Sequence, residues 1–221
     1  MIKKVPIPIC GVALGCAALG NLLQSYSEGI RMAFGLLSLI FMVLFILKVI
    51  MFPSMVKEDM KNPVMASVSG TFSMCLMLLA GYVKPYIGQA ESLIWYLAIA
   101  LHVALILYFT KTFVLGFALS KVFASWYIVY VGIVVASVTA PAFNATGLGG
   151  ILFWFGLVCF VILFFVVTKR YMTLQKLPDM VKPLIVIYAA PMSLCIAGYV
   201  QSVTPKSRGF LLGMLEHLFY L

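Results

Sequence analysis

Seven hydroxyl side chains, Ser67, Ser69, Thr71, Ser73, Ser137, Thr139 and Ser193, stand in stretches rich in Gly, Ala, Ser, Thr or Cys and free of Asp, Glu, Lys and Arg. The chemistry open to such a set is coordination without fixed charge. Hydroxyls and backbone dipoles steady an anion weakly, and the missing carboxylates withhold the negative field that would favour a cation. The acids lie elsewhere. Glu28, Glu58, Asp59, Glu91 and Asp179 fall in or beside connections, and Glu216 falls in the last bulky segment. Ser69, Ser73, Ser137 and Ser193, together with Gly11, Gly15 and Pro191, are the candidates to line a passage. The competing role for each hydroxyl is a bond to a carbonyl of its own or a neighbouring helix.

The other reactive side chains carry weaker signals. His102 sits in a bulky apolar stretch with no second histidine near it, so a bond to a neighbouring helix competes with a proton relay. Cys10, Cys16, Cys75, Cys159 and Cys195 lack Cys-x-x-Cys spacing and read as small apolar residues. Neither a His and Glu metal box nor a nucleophile with a base near it is present, so the sequence does not read as an enzyme and calls for no cofactor. Gly11 and Gly15 are spaced for close helix packing, a clear passage wall or a dimer face. Phe72 suits packing or a partial plug, and Trp95, Trp126 and Trp154 suit interfacial anchoring.

The elements that must position these groups recur. Roughly every sixty residues the sequence restarts with a basic cluster, often a proline, and a membrane-length segment. The starts are Lys3-Lys4-Val5-Pro6, Lys61-Asn62-Pro63, Lys121 ahead of Ser125-Trp126-Tyr127, and Val181-Lys182-Pro183. Small residues crowd 11–20, 66–81, 132–142 and 189–198, whereas Leu, Ile, Val and Phe fill 34–51, 93–113, 151–168 and 210 to the end. Small residues let backbones approach or leave room for a passage, and bulky ones suit lipid. The segments therefore divide into an inner and an outer set.

Composition places the whole in a bilayer. With 64% hydrophobic and 10% charged residues, a polypeptide of 221 residues could not hide its apolar surface in water. The expected fold is an all-α integral membrane protein, one transmembrane domain over 1–221, with about seven complete spans and a shortened eighth. Lys3, Lys4, Lys48, Lys57, Lys61, Lys111, Lys121, Lys169, Arg170, Lys176 and Lys182 fall on one side, against Arg31, Lys84, Lys206 and Arg208 on the other. That asymmetry predicts a cytoplasmic N-terminus in a cell membrane. It also accounts for the net charge of +9 without a nucleic-acid partner.

Hairpins of one inner and one outer helix, packed side by side in one orientation, make the inner helices parallel and able to surround an axis. Three or four such helices enclose little space, so about five hairpins are expected around a usable pore. The sequence stops at Leu221, partway through the fourth hairpin, so either partners complete the wall or this is a shortened product.

Gly11-Val12-Ala13-Leu14-Gly15-Cys16-Ala17-Ala18-Leu19-Gly20-Asn21 resembles the first inner helix of the tellurite-resistance and dicarboxylate transporter family, which includes bacterial TehA and the slow anion channels of plant guard cells. Asn62-Pro63-Val64 is similar to that family's third helix, and Ala189-Ala190-Pro191 with Gly198-Tyr199 to its seventh. The resemblance runs from Pro6 to Leu221 and implies ten helices in five hairpins around a central pore, the present sequence being shortened at its C-terminal end. It further implies a homo-oligomer, a trimer in the characterised bacterial protein, and passage of small anions or C4-dicarboxylates such as malate. The alternative function is a non-transporting subunit that assembles with full-length partners. The family's gating phenylalanine lies on a ninth helix and has no counterpart here. Its inner helices carry mid-membrane prolines: Pro191 matches that pattern, while Ser73 and Val129 stand where the third and fifth helices would kink, with Pro141 able to bend the latter nearer its outer end.

Overall fold

In a computed structural model of the protein, residues 2–88, 90–174 and 179–219 are described, and they contain helices and connections but no strand. They form two compact units, Met1–His102 and Val103–Leu221. Among the described residues, five helices are long and apolar enough to cross a membrane: Glu28–Met51, Pro63–Tyr86, Ser92–Val114, Thr146–Thr173 and Val181–Ser202. Two shorter apolar helices, Ile9–Leu23 and Val134–Phe143, occupy the first and third small-residue segments. The protein is thus an all-α membrane protein. Lys176 and Leu221, used in the orientation and span readings, lie outside the described residues.

In the first unit, α1 (Ile9–Leu23) and α2 (Glu28–Met51) form a hairpin, followed by a short α3 (Pro53–Asp59). Next come α4 (Pro63–Val68) and α5 (Gly70–Ile87), then α6 (Ala90–Phe109), within which the boundary between the units falls. The starts are encoded locally. Ser27 accepts the amide of Ile30 at the head of α2, and Asn62 accepts those of Val64 and Met65 at 2.9 and 3.3 Å ahead of Pro63. Along α2 the buried residues are Arg31, Gly35, Ser38, Met42, Phe45 and Lys48, a single face with helical spacing, while Leu36, Ile40, Val43 and Ile50 are exposed.

The hairpin is held by close approach and by side chains bonding across it. Gly20 and Gly35 leave room for the Tyr82 ring, whose hydroxyl donates to the Ala17 carbonyl at 2.6 Å. Ser38 donates to the Ala13 carbonyl at 2.7 Å. The second small-residue span is the interior of this unit: 72% of its window is buried, against 28% for Glu28–Met51.

The second unit repeats the arrangement. It contains α7 (Trp126–Tyr130), α8 (Val134–Thr139), α9 (Thr146–Thr173), α10 (Ala190–Ser202) and α11 (Arg208–Phe219). Helix α10 packs on both α8 and α9, as α5 packs on α1 and α2 in the first unit. Ala80-Gly81-Tyr82-Val83 in α5 recurs as Ala197-Gly198-Tyr199-Val200 in α10. Here glycine does more of the fastening. Gly149, Gly156 and Gly198 each sit where a Cβ would strike a neighbouring helix, at Ser202, Val134 and Val134 respectively.

The kink expectation needs revision. Inner helices are interrupted without proline at the break: Ser69 is a turn between α4 and α5, and residues 131–133 separate α7 from α8. At the second break the amides of both Val131 and Gly132 turn to the Tyr127 carbonyl, and Val134 then bonds Val131, so the hydrogen-bond ladder changes register. Pro191 does lie at a break, where a 3-10 stretch (Asp179–Tyr188) gives way to α10. Pro141 lies in the 3-10 turn that ends α8.

Candidate functional site

The seven inner hydroxyls all donate to carbonyls. Ser67 bonds Val64, Ser69 bonds Ala66 at 2.7 Å, Thr71 bonds Val68 and Ser73 bonds Gly70 at 3.0 Å. In the second unit Ser137 bonds Gly149 at 2.7 Å, Thr139 bonds Val135 and Ser193 bonds Ala190 at 2.8 Å. A hydroxyl whose proton is spent on a carbonyl turns its lone pairs outward, and an anion must rotate it to be coordinated. Ser193 is exposed and Ser69 and Thr139 are half-buried; with Thr139 facing the carbonyls of both Val135 and Ala136, Ser193 and Ser69 are the freest to turn. Ser73 and Ser137 are buried ties between helices, the former also 2.7 Å from His102 Nδ1.

Gly11, Gly15, Ser69 and Ser73 belong to the first unit, and Ser137, Pro191 and Ser193 to the second. A Cβ on Gly11 would lie 3.9 Å from Thr71, whereas one on Gly15 would meet nothing within 4 Å. The close approach of α1 uses Ala13, Ala17 and Gly20 instead, all buried, so the Gly11 and Gly15 pair is not the packing seam of this unit. Pro191 is buried at the head of α10. Phe72 packs on Phe45, ring centroids 5.4 Å apart.

Two of the three tryptophans are not membrane-interface anchors. Trp95 is fully buried, and Trp126 is buried with its indole N–H on the Lys121 carbonyl at 3.1 Å. Closeness to a span end did not reveal that the ring faces inward. Trp154 remains exposed. His102 is buried, and its bond to Ser73 is the helix-to-helix contact weighed from the sequence.

The charged residues hold the larger surprise. Arg31, Lys48 and Arg170, assigned from sequence only to sides of the membrane, are buried. Arg31 pairs with Glu28, bonds Asn21 at 3.2 Å and the Gly81 carbonyl at 3.3 Å, and lies 4.4 Å over the Tyr82 ring. Lys48 reaches Asp59 at 3.4 Å. Arg170 donates Nη1 to the Leu174 carbonyl, while its buried Nε has no hydrogen-bond partner among the described residues. The signal was in the spacing. Arg31 and Lys48 are in register with Gly35, Ser38, Met42 and Phe45, and Arg170 is in register with Gly149, Phe153, Gly156, Phe160, Leu163 and Val167.

Apolar spans in repeated hairpins, inner segments without carboxylates and buried cations near helix ends define a multi-pass membrane protein suited to anions rather than cations. Residues 4–216 match the SLAC1 family, described as voltage-dependent anion channel, and the protein belongs to that family. Its general class is therefore anion transport, the family being one of channels and transporters. No curated protein matches the sequence significantly.

Proposed function

We propose that this protein conducts small anions, with C4-dicarboxylates of the malate type among them, through a central passage bounded by the small-residue helices. The observation that carries the reading is the absence of Asp and Glu from all four inner segments, in a member of an anion-channel family. A passage without fixed negative charge presents no barrier of like charge to an anion, and weak dipoles let it leave again. Gly11 and Gly15 would keep the wall open, Ser69 and Ser193 would turn their hydroxyls to a passing ion, and Ser73, Ser137 and Pro191 would set the helix geometry behind them. The excess of Lys and Arg on one side supports a cytoplasmic N-terminus in a cell membrane. The many exposed bulky residues of α2 and α9 fit lipid and further copies of this protein, and the family resemblance supports a homo-oligomer, a trimer by analogy.

Flux in liposomes tests the reading, with the oligomeric mass measured in detergent on the same preparation. Chloride, nitrate or malate should move while potassium does not. Folded protein that passes none of the three anions, or passes potassium equally, rejects it.

A further inference from the structure

We propose that Arg170 binds an oxyanion through the Nε–H and neighbouring Nη2–H edge of its guanidinium. Arg170 stands in the last turn of α9 at a core position of that helix and is only 3% exposed. A guanidinium always carries its charge, and removing it from water is costly unless it is paired. Its present partners offset little of that charge. Nη1 faces the Leu174 carbonyl, and the Phe123 ring lies 5.8 Å from the guanidinium carbon. The helix C-terminus adds about half a negative charge. Nε has no hydrogen-bond partner among the described residues.

No ion pair joins Arg170 to an acid among the described residues: Glu216, in the same unit, is exposed and forms none, and four others are committed elsewhere. Glu28 pairs with Arg31, Glu58 with Lys61, Asp59 with Lys48, and Asp179, the nearest acid in sequence, with Lys182. Lys48 supplies the comparison that sharpens the case. It occupies the same place in the repeat, the last turn of the first bulky helix of its unit, and its buried charge is met by Asp59. Among the described residues, the second unit has the buried cation without the paired acid. Paired parallel N–H donors fit two oxygens of one planar or tetrahedral oxyanion, which makes nitrate, carboxylate, phosphate or a lipid phosphodiester better ligands than chloride. The neighbouring Lys169 raises the local positive potential.

This inference does not depend on transport, and its test reads binding. The 221-residue protein in dodecyl maltoside is melted across titrations of nitrate or phosphate against chloride at constant ionic strength. In a separate arm phosphatidylglycerol is added, with diacylglycerol as the phosphate-free control. Saturable stabilisation by nitrate or phosphate, lost in Arg170→Gln, supports a free oxyanion at this edge. Saturation by phosphatidylglycerol alone, lost in the same variant, supports a lipid headgroup. Arg170→Lys keeps the charge but not the paired donors and should weaken the apparent affinity about tenfold, which keeps the test valid if the glutamine variant does not fold. A wild-type protein that responds to none of these probes, or variants that respond as wild type does, overturns the proposal.

Discussion

The two units share an arrangement of helices and fasten it differently. In the first, polar side chains reach across: Tyr82 and Ser38 bond carbonyls of α1, and Arg31 ties the ends of α1, α2 and α5 through Asn21, Glu28 and Gly81. In the second, glycines at Gly149, Gly156 and Gly198 bring helices into contact, and Ser137 and Ser202 add bonds to backbone carbonyls. The same contrast governs charge, since both buried cations of the first unit have acids and Arg170 of the second has none among the described residues. Glycine packing occurs in both units, at Gly20 and Gly35 as well as at Gly149, Gly156 and Gly198, whereas the polar clamp at Arg31 belongs to the first. The first unit accordingly pairs the charges it buries, and the second leaves the Arg170 Nε without a hydrogen-bond partner among the described residues.

Substitutions that add a methyl group should have the largest effect, and they separate glycines that meet backbone-fixed atoms from those that meet a side-chain end. A Cβ on Gly20 meets the Arg31 carbonyl oxygen and the Phe34 Cβ at 3.0 Å each, groups held by the helix backbone, besides the Tyr82 hydroxyl. Gly20→Ala should cost about 3 kcal/mol. Gly156→Ala chiefly meets the Cγ2 methyl of Val134, a side-chain end rather than backbone, and should cost less. Thermal unfolding in detergent compares them, and equal losses would remove the distinction between backbone-fixed and side-chain neighbours.

Removing the clamp itself should have the next largest effect. Arg31→Met deletes the bonds to Asn21, Glu28 and Gly81 while keeping much of the side-chain volume, and should destabilise by about 2 kcal/mol. The loss should concentrate in the first unit, as read by hydrogen exchange at α1 and α5. Faster exchange spread evenly over both units would contradict a local clamp.

Asp59→Asn asks whether the missing acid is what sets Arg170 apart. It leaves Lys48 buried without its carboxylate, at a cost of roughly 1 kcal/mol because Asp59 is partly exposed. The variant should also acquire a second oxyanion-dependent rise in melting temperature that the parent lacks. No added response would show that an unpaired cation at this place in the repeat is insufficient for binding.

The smallest effect belongs to Gly15, which faces open space in its unit. Gly15→Ala should stabilise α1 by about 0.5 kcal/mol through reduced backbone freedom. If the exposed face of α1 borders the passage, anion flux should fall while the melting temperature rises. Unchanged flux would remove Gly15 from the wall.

The amino-acid order by itself determined the class, the hairpin period and the choice of apolar segments, because hydrophobic length and composition are local properties that a bilayer reads directly. It also marked the helix starts at Ser27 and Asn62-Pro63, where capping depends on sequence neighbours. Most inner hydroxyls bond carbonyls three or four residues back, but tertiary structure alone decided the ties of Ser137 to Gly149 and of Ser73 with His102, which join residues on different helices. Packing likewise buried Trp95 and Trp126, which stand near span ends where lipid-facing rings are also found. Arg170 shows the division most clearly. Its spacing placed it on the core face of α9, but only positions in space determine that none of the paired acids is left to neutralise it. Charge pairing depends on distance through space, and a linear sequence fixes that distance only within a turn or two of helix.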